Sequence, residues 1–244
     1  MILVVDTETT GIPDFAGNPE DEGQPRLVQL GAILMDASYN VRAELNMLVA
    51  THAQFLTPEV EKIHGIDKQT LMKYGFNELD VMVAFNYLCR RAEVIVAHNL
   101  RFDAFILGTA FHHAGIAAAP PEKKYCTMVE MAKSMGSSTH RISLANAHMH
   151  AFKKGFDNAH DAMADVRACA RLYRWLQNPE TPGTEPPEVE PSDALEFDHD
   201  TPMPFGKHRG VKLRNVPPAY LRWLKGEGCN NPLLQKSLEQ QKDL

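Results

Sequence analysis

Three β-rich runs follow one another at the start of the chain, Ile2 to Asp6, Arg26 to Asp36 and Val41 to Val49, with Ala37-Ser38-Tyr39-Asn40 placed to join the last two as a hairpin. After them the order changes. Helical patterns over Pro58 to Ile63 and, past Gly75, over Glu78 to Arg91 lead into a short apolar run, Val94 to Ala97. A helix over Asp103 to Ala114 leads to a further strand near Lys124 to Thr127, and helices follow around Val129 to Ser134, Ser143 to Phe152 and Asp161 to Leu176. A meander of strands followed by strands alternating with helices implies an α/β domain, a mixed sheet covered by helices.

The remaining sequence has a different character. From residue 179 to 202 it is rich in Pro, Glu and Asp, too polar to fold alone and too broken by proline for a helix, and it reads as a linker. The expected organisation is thus a domain over residues 1–178, the linker, and a small module over 203–244. The net charge of −6 argues against a nucleic-acid binder until its distribution is considered. Residues 180–200 hold eight acids and no Lys or Arg, whereas 203–244 hold eight Lys or Arg against three acids, a local +5.

No apolar run approaches the roughly 18 residues of a membrane span, and Val5 is followed at once by Asp6, so neither a spanning helix nor a signal-peptide core is expected. The expectation is a cytoplasmic protein with no membrane partner. Cys89, Cys126, Cys169 and Cys229 are far apart and form no C-x-x-C pair, which suits reduced thiols better than zinc ligands.

The chemistry is carried by carboxylates. Asp6-Thr7-Glu8-Thr9-Thr10-Gly11 ends the first strand, and residues i and i+2 of a strand face one side, so Asp6 and Glu8 project together. Like charges so paired repel unless a cation lies between them, and hard divalent ions such as Mg²⁺ or Mn²⁺ prefer oxygen ligands. Asp103 follows the apolar run Val94 to Ala97 and stands at the opening of a helix, where it would serve either as a cap or as a third carboxylate at the end of a sheet strand. In Asn158-Ala159-His160-Asp161-Ala162-Met163-Ala164-Asp165, His160 and Asp165 are five apart, about 140° around a helix, so His160 belongs to the loop before it. A loop histidine beside a carboxylate cluster suits general-base work, because imidazole titrates near 6.5. Asp161 shares a helix face with Asp165, and its first-turn position favours capping.

Three blocks together, D-T-E-T-T-G at 6–11, H-N-L-R-F-D at 98–103 and H-D-A-M-A-D at 160–165, resemble the DEDDh (DnaQ-like) 3′-to-5′ exonuclease family in order and spacing. Pro58-Glu59 with Ile63-His64-Gly65-Ile66, and Cys126-Thr127-Met128, are also similar to it. The resemblance covers about the first 176 residues. It implies a ribonuclease H-like fold with a five-stranded mixed sheet flanked by helices, and release of 5′-mononucleotides from a free 3′ end by a two-metal mechanism. By the same resemblance, Asp6 would bridge both cations, Glu8 and Asp165 would complete the first, Asp103 would hold the second, and His160 would be the general base. Two ions about 3.5–4 Å apart stabilise both the attacking and the leaving oxygen of an in-line displacement at phosphorus. Thr7, Thr9, Glu59, His64 and Asn99 match positions that contact the terminal nucleotide.

The tail string Phe205-Gly206-Lys207-His208-Arg209-Gly210 with Tyr220-Leu221-Arg222-Trp223-Leu224 resembles the module that follows the exonuclease domain in the exodeoxyribonuclease X branch of the family. Its cations suit phosphates and its aromatics suit either bases or a minimal core, so nucleic acid and a protein are both open as its partner. DNA is favoured as substrate, with RNA the alternative, since the 2′-hydroxyl contact leaves no motif. A non-catalytic binding module would have lost a carboxylate, and none is missing. The polar stretch Gly17 to Pro25 departs from the family pattern and is expected to form a loop beside the site.

Overall fold

In the computed structural model, which describes residues 1–137, 141–156, 161–178, 208 and 211–223, five strands form one sheet. They are β1 (Ile2–Thr9), β2 (Leu27–Met35), β3 (Val41–Leu48), β4 (Val94–Ala97) and β5 (Lys123–Cys126), in the order β3-β2-β1-β4-β5. β2 runs antiparallel to β1 and β3, while β4 pairs parallel with β1 and β5 parallel with β4. The expected mixed sheet is present. A tight turn can return the chain only antiparallel, as between β2 and β3, where both the Ser38 and Asn40 amides donate to Asp36 Oδ1. The strands entered from helices lie parallel.

β1 continues three residues past Asp6, to Thr9, with Glu8 paired to Gln29 and an irregularity between Glu8 and Thr9. The polar string Asp6 to Thr9 conceals this from a hydrophobic pattern, because backbone pairing to β2, not side-chain burial, carries the strand on. β2 is buried along its whole length and β3 alternates, as suits a central strand and an edge.

Seven helices complete the first unit as far as it is described: α1 (Pro58–His64), α2 (Lys68–Tyr74), α3 (Glu78–Cys89), α4 (Leu100–His113), α5 (Thr127–Ser134), α6 (Leu144–Phe152) and α7 (Ala162–Gln177). α2 was not expected from the sequence. It is two turns long, buries only Leu71, and is held by Asp67, whose carboxylate accepts from the Thr70 amide at 2.6 Å. α4 begins at Leu100, three residues earlier than the apolar spacing suggests, because Asn99 takes up the left-handed conformation (φ 78°) and turns the chain directly out of β4.

The sheet is covered on both faces. Leu3, Val5, Leu30, Ala32 and Leu34 pack against Val81, Met82 and Phe85 of α3 and Ile106, Leu107 and Phe111 of α4. Val4, Ile33, Met35 and Val96 pack against Met163, Val166, Cys169, Ala170 and Tyr173 of α7. The period of two therefore assigns sides before any chemistry is considered: Asp6 and Glu8 follow Val4 toward α7, and Thr7 follows Leu3 and Val5 toward α4.

The chain divides into two compact units, Met1–Glu190 and Pro191–Leu244. Within the second, a 3₁₀ turn (Leu213–Asn215) precedes α8 (Pro218–Trp223). Val216 and Leu221 are buried there, and the rings of His208 and Tyr220 meet edge to face at 4.7 Å. The expected linker over 179–202, most of the tail module and Cys229 lie outside the described residues. Cys89, Cys126 and Cys169 are free thiols. Among the described residues no helix is long and apolar enough to cross a membrane.

Candidate active site

The end of β1 and the start of α7 meet over a glycine. Gly31 of β2 is the register partner of Asp6, and a Cβ there would stand 2.8 Å from the Ala162 carbonyl oxygen. The hydrogen in its place lets the first residue of α7 rest on the sheet. Gln29 secures the contact: its Oε1 accepts from the Ala162 amide at 3.3 Å, while its Nε2 donates to Asn46 Oδ1 on β3. Asp161 caps the helix, accepting from the Met163 and Ala164 amides at 3.1 and 3.0 Å. Asp165, one turn farther along, is thereby brought to the two acids of β1. Ligand oxygens of Asp6, Glu8 and Asp165 lie within 4.8 Å of one another.

Asp103 comes from the opposite layer. Since α4 opens at Leu100, with Asn99 in the capping position, Asp103 is not the cap but lies within the first turn, almost wholly buried. Its Oδ1 accepts the Thr7 hydroxyl at 2.9 Å. Thr7 thus ties the fourth acid to the strand that carries Asp6 and Glu8.

Three of these carboxylates are held back from ionising. Burial, followed by repulsion from Asp103, Asp165, Glu8 and Asp161, raises the Asp6 pKa well above the ordinary carboxylate range. Burial, then repulsion from Asp165, Asp103 and Asp161, pushes Glu8 up to about 8. Asp103 is pushed up to about 7, chiefly by burial and against the opposing hydrogen bond from Thr7. An all-oxygen donor set of like charges, three of whose ligand oxygens lie within 4.8 Å of one another, is what a hard divalent ion would complete, so these residues fit such a metal.

The other sequence candidates have varied placements. Thr9 is buried and its hydroxyl donates to the Gly11 carbonyl at 2.6 Å. Glu59 is exposed in the first turn of α1, and His64, at the end of that helix, is buried with Nδ1 accepting from the Ile66 amide. Asn99 is half-buried at the β4–α4 junction. His160 lies outside the described residues; α7 itself opens at Ala162, with Asp161 capping as its position suggested. His98 has a structural part: Nε2 donates to the Ile142 carbonyl at 2.8 Å, leaving Nδ1 to accept from the Thr127 hydroxyl at 3.0 Å. Burial lowers its pKa, which suits this neutral, bonded ring.

Gly31 and Gln29 were missed by the sequence reading. The available signal was a glycine and an amide inside an otherwise apolar strand, LVQLGAILM, where a glycine commonly marks close approach of another backbone. Gly31→Ala is expected to push α7 off the sheet and lower kcat about 10²-fold, since a misplacement of about 1 Å at reacting groups costs that much. The overpacking should also destabilise the fold by about 1–3 kcal/mol. Steady-state kinetics and thermal unfolding of the same variant measure both, and wild-type kcat would refute the positioning role.

Comparisons with known proteins bear on the family and the fold. Residues 3–173 match the RNase T family model, described as exonuclease, and residues 193–243 match a family described as a putative quorum-sensing-regulated virulence factor. No curated protein sequence matches the chain. Among solved structures, Escherichia coli exonuclease I in complex with a dT13 oligonucleotide aligns at 22% identity over 72% of this chain and 41% of its own, with a TM-score of 0.58. The zinc-bound complex of the same enzyme with single-stranded DNA aligns at 20% identity over 73% and 41%, TM-score 0.58. The moderately thermophilic exonuclease I of Methylocaldum szegediense aligns at 18% over 73% and 41%, TM-score 0.52. The chain spans less than half the length of these structures, and at such identities the likeness is one of fold. The family match covers most of the chain and runs from β1 through α7, the stretch that gathers the four carboxylates onto one ribonuclease H-like sheet, and on that ground the chain belongs to the DnaQ-like, DEDDh-type 3′-to-5′ exonuclease family.

Proposed function

We propose that this exonuclease removes 5′-mononucleotides one at a time from the 3′ end of a nucleic-acid strand, with DNA the favoured substrate, using two divalent cations and His160 as general base. The observation that carries this reading is the convergence of Asp6, Glu8 and Asp165 within 4.8 Å, with Asp103 bound to the adjoining Thr7. Asp6, Glu8 and Asp165 would hold one Mg²⁺ or Mn²⁺, and Asp6 with Asp103 the other. Bound there, the cations supply charge neutralisation and Lewis-acid polarisation at the phosphate.

In the reaction, the oxygen of a water forms a bond to phosphorus and the bond from phosphorus to the 3′ oxygen of the preceding nucleotide breaks. His160 takes the proton of that water; the products are a 5′-mononucleotide and a strand one residue shorter with a new 3′-hydroxyl. Thr7 keeps the Asp103 carboxylate turned toward β1, and Asp161, which follows His160 in the sequence, caps α7 where it begins at Ala162. Glu59, His64, Asn99 and the backbone at Thr7 and Thr9 would wall the terminal nucleotide, the two threonine hydroxyls being engaged within the protein. We assign catalysis to residues 1–178, a tether to 179–202, and an auxiliary contact with nucleic acid or protein to 203–244; the separate family matches, over 3–173 and 193–243, support two domains, the second match beginning within the assigned tether.

The test is digestion of 5′-labelled single-stranded DNA, duplex DNA and RNA with Mg²⁺ or Mn²⁺, resolved on sequencing gels. A ladder shortening from the 3′ end, with mononucleotides as product and DNA cut faster than RNA, is expected. Cleavage of a closed circle at a comparable rate would refute the exonuclease reading, and faster cutting of RNA would reverse the substrate preference.

A further inference from the structure

Beside the first turn of α4 lies a cleft of about 680 Å³, walled by the β1–β2 loop, α4, β5 and α5. Among the described residues three cationic ones line it, Arg101, Lys124 and Arg141, and no carboxylate does, in a chain whose net charge is −6. Two aromatic rings, Phe15 and Phe105, also line it. The Arg101 guanidinium lies 4.4 Å above the Phe15 ring, and the Phe15 and Phe105 rings meet edge to face at 5.5 Å. Arg101 and Lys124 are exposed, and the half-buried Phe15 ring backs the Arg101 guanidinium, so the charges and the plane of that guanidinium are presented to a ligand.

The loop that presents Phe15 is braced. The buried Gln24 side chain closes it internally, with Oε1 accepting from the Asp14 amide at 3.1 Å and Nε2 donating to the Asp14 and Asn18 carbonyls at 3.0 and 3.3 Å. The same loop is pinned to α4 by Thr109, whose hydroxyl donates to the Pro19 carbonyl at 3.0 Å, and by Glu20, 3.6 Å from His112. Phe15 is therefore mounted on a fixed platform against the helix that carries Asp103. Fixed aromatic faces beside cations are the elements that bind single-stranded nucleic acid without regard to sequence: bases stack on rings while phosphates meet Lys and Arg.

We propose that this cleft holds the unpaired strand on the 5′ side of the scissile phosphate, one base against the stacked Arg101–Phe15 pair and its phosphates at Arg101 and Lys124. The proposal rests on the exonuclease reading for its direction: Asn99 and Arg101, which line the cleft, stand within one turn of Asp103, so a strand whose 3′ end lay at the carboxylates would continue into the cleft. It gives the Gly17 to Pro25 departure from the family pattern a purpose: the insertion holds a stacking platform.

The test separates the cleft from the chemistry by measuring binding in chelator, where no cleavage occurs. Fluorescence anisotropy of the full chain is titrated with 5′-fluorescein-labelled thymidylates of two and six nucleotides. The intact protein is expected to bind the hexamer more tightly than the dimer. In the Arg101→Glu/Lys124→Glu protein that gain is expected to fall about tenfold, and the salt slope on the hexamer by about 1.4, the worth of two single-strand phosphate contacts. Phe15→Ala is expected to lose roughly tenfold on the hexamer, within the range for one stacked base. Both charged residues are exposed, so thermal unfolding of the reversal variant should match the parent; the milder Lys124→Gln supplies the same comparison should it not. A length gain and salt slope unchanged in these variants would overturn the cleft assignment. Absence of 3′-end digestion in Mg²⁺ would instead overturn the proposed function while leaving the binding result to stand.

Discussion

Asp6→Ala is expected to lower the hydrolysis rate at least about 10³-fold, a modest share of the acceleration that phosphoester hydrolysis requires of an enzyme, and yet to stabilise the metal-free protein. Both effects have one origin. Asp6 is repelled by Asp103, Asp165, Glu8 and Asp161, and burial adds to that repulsion. A carboxyl whose folded pKa is raised retains a proton in the native state that the unfolded chain has released, so stability falls as pH rises between the two values. For Glu8 that window runs from 4.5 to about 8 and for Asp103 from 3.8 to about 7. The metal-free enzyme should therefore melt at lower temperature at pH 8 than at pH 5, and a divalent cation should restore the difference by compensating the ionised cluster. Asp6→Ala removes the cost of seating that carboxyl in the cluster, and a rise of roughly 4–8 °C in chelator at pH 8 is what about 2 kcal/mol is worth in a chain of this size. Calorimetry in EDTA at both pH values, with activity assayed before and after Mg²⁺ is returned, measures the whole set. Full activity in chelator with metal removal verified would sink the metal assignment, and a lower melting temperature for Asp6→Ala would sink the electrostatic account.

What the sequence disclosed, and what it concealed, follows from the range of each interaction. Asp6 and Glu8 share a face because a strand has period two, and that was legible from five residues. The capping role of Asp161 was legible for the same local reason. The position of Asp103 within α4 was not, because the helix start is set by the left-handed turn at Asn99, which the apolar spacing does not report. α2 was concealed by its brevity and its single buried leucine. Gly31 and Gln29 act across more than 130 residues of chain, on the first residue of α7, and only the folded sheet brings them to it. Charge was the least legible property. A linear count places the positive surplus in the tail, whereas the cations of the cleft, Arg101, Lys124 and Arg141, are each separated by some twenty residues of chain and gather only when α4, β5 and the segment before α6 are assembled.

His160→Ala is expected to reduce the rate roughly 10²–10⁴-fold, the usual contribution of a positioned general base, while the carboxylates still bind metal. The structural result for its neighbour sharpens this test. Asp161 spends one carboxylate oxygen on the Met163 and Ala164 amides, so a base role would compete with capping. Asp161→Ala should thus cost about 1 kcal/mol, the value of a helix cap, and 2–4 °C of melting temperature. Its effect on rate should be the smaller of the two. The pH profile discriminates further. The rate should fall on the acid side as the imidazole, near 6.5 when unperturbed, takes up a proton and can no longer accept one from water. Glu8 and Asp103, raised to about 8 and 7 without metal, would produce a limb in the same region, but a bound cation favours their ionised forms and draws them below it. At saturating metal the surviving limb therefore belongs to the histidine, and it should vanish in His160→Ala. A silent His160→Ala beside a 10²-fold loss in Asp161→Ala would transfer the base to the capping residue, and α7 would then have to open without its cap during each turnover.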